Sequence, residues 1–155
     1  MWKGFQEFRS LGWIQALPRL VASQSEAAAP ISIAFEKGLL DIEPVVARET
    51  VAESIQVGNP VSLGWRALAA LRESNGTAVP LSDEEILEAQ SLTARLAGIF
   101  AEPAAATSVA AAKRLRAAGV IRPDELVVCN LTGHGLKQPE AIRIADTELQ
   151  PIPPP

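Results

Sequence analysis

The stretch Leu126-Val127-Val128-Cys129-Asn130-Leu131-Thr132-Gly133-His134-Gly135-Leu136-Lys137 constrains the fold more than any other part of the chain. It opens as a nearly continuous apolar run, the pattern of a strand buried on both faces of a parallel sheet. It closes in a polar turn flanked by glycines. In open α/β sheets ligands bind beyond the carboxyl ends of the strands, which makes Thr132 to Gly135 a candidate ligand turn. Glycines there remove side-chain bulk, so a flat ligand can approach the backbone closely. The competing reading is a strand that ends in a tight turn and contacts nothing.

Helices and short strands alternate along the rest of the chain. Trp2, Phe5, Phe8 and Leu11 recur at helical spacing and predict an amphipathic helix over residues 2–11, stopped at Gly12. Residues 19–24 read as a short strand. Pro30 suits a first helical turn, and the helix of residues 31–37 stops at Gly38. Residues 39–49 read as a loop, and Thr50 as the N-cap of a short helix over residues 51–56. A helix carrying Leu63, Ala67, Leu68 and Leu71 ends at Asn75-Gly76. Residues 77–81 follow as a strand that Pro80 assigns to an edge. Ser82-Asp83-Glu84-Glu85 is a capping box opening a helix that Gly98 closes. Glu102 reads as an N-cap and Pro103 as the first residue of the next helix. Residues 104–112 are so poor in bulky and charged groups that another element must pack close to them. The alternation predicts an α/β fold with a partly parallel sheet and flanking helices.

Composition excludes several functions. The net charge is −4, with 14 basic and 18 acidic side chains, so there is no basic footprint and no nucleic-acid partner is expected. No stretch reaches the roughly 18 apolar residues of a membrane-crossing helix, and the N-terminus lacks the apolar core of a signal peptide. The lone Cys129 forms no intrachain disulfide, which fits a reducing, cytoplasmic location. One histidine and one cysteine make no zinc site. His134 has no serine in a Gly-x-Ser-x-Gly elbow to serve, and there is no glycine-rich nucleotide loop. From residue pattern alone, the chain is an α/β protein with one candidate ligand turn.

Three blocks nevertheless resemble one family, in order and at matching spacing. The first runs from Trp2-Lys3-Gly4-Phe5 through Leu17-Pro18-Arg19-Leu20 to Ala27-Ala28-Ala29-Pro30. The second is Thr50-Val51-Ala52-Glu53-Ser54-Ile55-Gln56-Val57-Gly58-Asn59-Pro60. The third joins Ser82–Ile86 and Gly98–Ala104 to Leu131-Thr132-Gly133-His134-Gly135-Leu136-Lys137. Together they resemble the threonine synthases, pyridoxal-phosphate enzymes of fold type II (tryptophan synthase beta-like). The last block is the most specific. The second is shared more loosely with threonine dehydratases.

The resemblance implies that residues 1–137 are the C-terminal portion of a pyridoxal 5'-phosphate domain and that residues 138–155 are an extended, proline-rich tail. It implies the conversion of O-phosphohomoserine and water to threonine and phosphate. It also implies that Thr132 contacts the pyridine nitrogen of the cofactor. A hydroxyl partner, unlike a carboxylate, does not hold that nitrogen protonated, and the ring is then a weaker electron sink. No catalytic residue and no metal ligand carries over. The family often has serine where this chain has Ala105. Its Schiff-base lysine and phosphate-cradling glycine loop fall upstream of the first block. The chain is therefore expected to be a fragment, inactive alone, that needs the N-terminal half or self-associates. The alternatives are another fold type II enzyme, of threonine dehydratase or cysteate synthase type, and a non-catalytic remnant acting as a binding protein.

Overall fold

The computed structural model describes residues 1–141. Its helices are Trp2–Ser10 (α1), Pro30–Glu36 (α2), Gly64–Glu73 (α3), Asp83–Ala97 (α4) and Pro103–Ala117 (α5); its strands are Val21–Ser25 (β1) and Thr77–Leu81 (β2). The two strands pair in parallel, with Val21 opposite Thr77 and Ser25 opposite Leu81. Parallel pairing needs a long crossover, and residues 26–76 supply it through α2 and α3. Among the described residues Pro80 lies in a strand paired on one side only, which accommodates its missing N–H. Among the described residues no helix is long and apolar enough to cross a membrane.

The punctuation signals act as expected. Ser82 Oγ accepts the Glu85 amide while the Glu85 carboxylate accepts the Ser82 amide, so α4 begins in a closed capping box. Gly98 ends that helix in the left-handed conformation, at φ +67°. The small residues at the head of α5 serve close packing. Pro103 to Thr107, Ala110 and Ala111 are buried, and α5 lies against α4, both strands and the turn Glu53–Ile55. Val79, Leu81, Ile86, Ala89, Ala106 and Leu115 complete this core. α1 stands apart, with no buried residue. It is moored where the Trp2 indole donates to Glu73 at 2.6 Å.

The structure corrects two expectations. The helix over residues 51–56 is only a 3-10 turn, Glu53–Ile55. Thr50 Oγ1 does accept the Ala52 amide, at 3.2 Å, but tertiary bonds share it: the hydroxyl accepts from Ser25 Oγ at 2.8 Å and donates to Asp83 Oδ1 at 2.6 Å. Asp83 also accepts the Val51 amide, at 3.1 Å. The second correction is larger. Residues 126–131 form no strand and are not buried on two faces. Leu126 is 92% exposed and Val128 79%. A strand exists only through a neighbour, and β1 and β2 pair with each other. The segment is held along α5 instead, where Ser108 Oγ donates to the Asn130 carbonyl at 3.2 Å. Of the tail expected at 138–155, Pro139–Ala141 form a 3-10 turn. Residues 142–155 lie outside the described residues.

The capping box predicts a pH dependence. Partial burial pushes the Glu85 carboxyl up, but hydrogen bonds from Arg114 and Ser82, with the Arg114 charge, outweigh it and hold the group below its ordinary value of 4.5. A depressed folded value means the contribution is complete above the unfolded value and is lost as pH falls through the folded one. The urea midpoint is therefore expected to drop below pH 4.5, and Glu85→Gln to flatten that part of the profile. An unaltered acid limb in Glu85→Gln would assign the effect to other carboxylates.

Candidate functional site

The turn after residue 131 is built onto the head of α5. Glu102 donates its amide to the Gly133 carbonyl at 3.0 Å, and Gly135 donates to the Phe100 carbonyl at 2.9 Å. Ala101 and His134 thus face each other in a short antiparallel bridge. The His134 ring stands nearly perpendicular to that of Phe100, 5.5 Å between centroids at 80°. Its Nδ1 accepts the Leu136 amide at 3.1 Å and so caps the 3-10 turn Gly135–Lys137. From below, Gln90 Nε2 donates to the Ala101 carbonyl at 2.8 Å.

That turn returns Lys137 to the base of the loop. Its Nζ lies 2.8 Å from Glu102 Oε2 and 3.3 Å from Ser54 Oγ, while Ser54 Oγ donates to the same carboxylate at 3.1 Å. Glu102 is only 4% exposed. A buried carboxylate is costly unless it is paired and hydrogen-bonded, and here it is both. Glu102 does occupy the N-cap position of α5, where the helix dipole favours negative charge, but its side chain caps no amide. Ser54 and Lys137 take it instead. Sequence reading misses this role for all three residues. The available signal is a glutamate, which is not a favoured N-cap residue, ahead of a helix-opening proline.

Both glycines of the turn serve the protein itself. A Cβ at Gly133 would overlap the Glu102 carboxylate, and one at Gly135 would overlap the Phe100 ring. The room that suggests space for a flat ligand is therefore filled by Glu102 and Phe100. Thr132 is exposed. It sits between the Asn130 carbonyl, tethered to Ser108, and the Gly133 carbonyl, tethered to Glu102. Cys129 is half-buried, and burial pushes its thiol above the ordinary range, so it is not an activated nucleophile.

The family model described as pyridoxal-phosphate dependent enzyme matches residues 1–133. Over 148 residues the chain is 48% identical to the threonine synthase of Methanocaldococcus jannaschii, covering 96% of this chain and 36% of that protein. Over 142 residues it is 49% identical to the threonine synthase of Methanosarcina acetivorans, covering 92% and 35%. Among solved structures, a threonine deaminase from T.th. superposes with a TM-score of 0.52 at 28% identity, covering 63% of this chain and 30% of that one. The chain thus spans about a third of the length of the curated relatives it matches. The parallel β1–β2 pair, its flanking helices and the matched span from α1 to Gly133 lead to one conclusion: the chain belongs to the pyridoxal-phosphate dependent enzymes, with the fold type II architecture.

Proposed function

We propose that the chain is the C-terminal part of a cytoplasmic threonine synthase. In the whole enzyme it would help convert O-phosphohomoserine and water to threonine and phosphate. One observation carries the reading: Ser54 from the second block that resembles threonine synthase, and Glu102 and Lys137 from two separate parts of the third, meet at the base of the turn that presents Thr132.

The side chains present fit one end of the cofactor. The exposed Thr132 hydroxyl has no hydrogen-bond partner among the described residues, so it is available to a pyridine nitrogen. The four lysines do not fit a Schiff base. Lys3 pairs with Glu7, Lys37 with Glu43, Lys113 with Glu88 and Lys137 with Glu102. All four side chains are largely exposed, and none is a desolvated amine of the kind that attacks a carbonyl. Pyridoxal phosphate, when bound, supplies the electron sink for replacement chemistry at the substrate's β and γ carbons. Thr132 would hold the ring nitrogen by a hydrogen bond without protonating it. The remaining contacts would come from the N-terminal part of the enzyme. The exposed apolar side chains of Leu126 and Val128 support such a covering partner.

The test is a graft. The matching segment of the Methanocaldococcus jannaschii enzyme is replaced by this chain, and products are assayed. Threonine and phosphate from O-phosphohomoserine are expected, dependent on added cofactor. Ammonia and a 2-oxo acid from threonine, with no threonine synthesis, would favour the deaminase reading that the structural neighbour suggests.

In the same graft Thr132→Val keeps the shape and removes the hydroxyl. Leaving the buried ring nitrogen unpartnered is expected to cost roughly 1–3 kcal/mol in kcat/KM or cofactor affinity. Thr132→Ser is expected to be milder. Equal kinetics and equal affinity in Thr132→Val would remove Thr132 from the site.

A further inference from the structure

We propose that Lys137 is a positioning residue: through Glu102 and Ser54 it clamps the Thr132 turn to the head of α5 and so sets where the Thr132 hydroxyl stands. The inference rests on the reading of Thr132 as a cofactor contact. The backbone bridge between residues 100–102 and 133–135 consists of two hydrogen bonds. The turn they hold carries two glycines, whose backbone freedom is the largest to be lost on ordering. Beyond Gly135, nothing in so short a ladder fixes the carboxyl side of the turn. Lys137 does, because the 3-10 turn capped by His134 brings its ammonium back to the residue at which the ladder begins.

The pair is unlike the chain's other lysine pairs. In Lys3–Glu7, Lys37–Glu43 and Lys113–Glu88 both partners are largely exposed. Such pairs contribute little. In Lys137–Glu102 the lysine side chain is 59% exposed but the carboxylate side chain only 5%. Removing the lysine leaves a buried charge with a single hydroxyl donor, which is strongly unfavourable. The carboxylate then has reason to turn toward water. Gly133 lies directly against that same carboxylate, so the movement passes to the residue after Thr132. Two of the three ammonium donors already face Glu102 and Ser54. The geometry thus assigns Lys137 to the protein side of the site and not to a substrate phosphate.

The first experiment uses the chain itself. In Lys137→Met, amides of residues 131–137 are expected to exchange with solvent about tenfold faster, with α4 and α5 unchanged. Lys137→Arg, which keeps the charge, is expected to restore protection. Ser54→Ala serves as a second variant with a smaller effect in the same place. The second experiment uses the graft loaded with pyridoxal phosphate. Lys137→Met is expected to move the cofactor's absorption band in the same direction as Thr132→Val and to lower kcat. The KM for O-phosphohomoserine is expected to stay within about twofold. Unchanged exchange in Lys137→Met overturns the clamp. A raised KM with unchanged kcat overturns it in favour of a substrate-phosphate contact. A silent Thr132→Val, with faster exchange in Lys137→Met, keeps the clamp and overturns its link to the cofactor.

Discussion

Leu81→Ala is expected to destabilise this chain by about 2–5 kcal/mol, a larger effect than any other substitution proposed for it. Leu81 is fully buried at the end of β2, in one cluster with Val79, Ile86, Ala104, Ala106 and Ala110. The cost has two parts, the lost transfer free energy of the side chain and the cavity left behind. How much the cavity costs depends on how far the walls relax. Here alanines make up much of the cluster, and they have no side chain that can swing into the gap. The upper half of the range is therefore expected. Total stabilities of single domains are about 5–15 kcal/mol, so the change removes a large fraction. The shift in urea midpoint measures it, and Leu81→Met, close in volume, is expected to cost less than about 1.5 kcal/mol. A shift for Leu81→Ala worth under about 1 kcal/mol would mean that α4 and α5 close over the gap and that the core is loosely packed.

Gly135→Ala is expected to open the Thr132 turn without any ligand present. The added methyl would occupy the position of the Phe100 ring, and Phe100 is also the residue whose carbonyl the Gly135 amide holds. Ring and ladder cannot both keep their places. Overpacking of this kind costs about 1–3 kcal/mol. Thermal melts would report the loss, and amide exchange at Glu102 and Gly135 would show where it falls. Gly133→Ala is expected to reach the same end by another route, by displacing the Glu102 carboxylate from Lys137. These outcomes separate the two accounts of the glycines. If they only made room for a flat ligand, both variants would leave the unliganded chain unchanged and weaken cofactor binding alone.

Much of the local structure is legible in the sequence because its causes are local. The Ser82–Glu85 box, the glycine stops at Gly12 and Gly98, and Pro103 at the first turn of α5 are set by backbone chemistry within four residues, and sequence displays it directly. The alanine-rich head of α5 tells of a close neighbour, and α4 and the sheet are there. The apolar run at residues 126–131 is legible only in part. Its composition says that something covers it, but a strand is a property of a pair, and the partner is not written in the run itself. Thr50 reads as a cap and does take the Ala52 amide, but only a 3-10 turn follows, and the Thr50 bonds to Ser25 and Asp83, far away in sequence, are not written locally. At the candidate site, the turn around Thr132 stands out through its glycines. The Glu102–Lys137–Ser54 contact does not, since it joins positions up to 83 residues apart.

The parallel register of β1 and β2 has a consequence for how the chain comes off the ribosome. Val21–Ser25 cannot pair with Thr77–Leu81 until the crossover of residues 26–76 between them has been made. At about 5–20 residues per second this leaves β1 without that partner for several seconds. During that wait it presents Val-Ala-Ser-Gln-Ser, a mostly small segment with a polar majority, to whatever is nearby. A strand of large β-branched residues held open so long would invite misplaced pairing with other nascent chains. The plainness of β1 is thus suited to late partnering: it tolerates delay, and its burial waits for Leu81 and α5 to arrive.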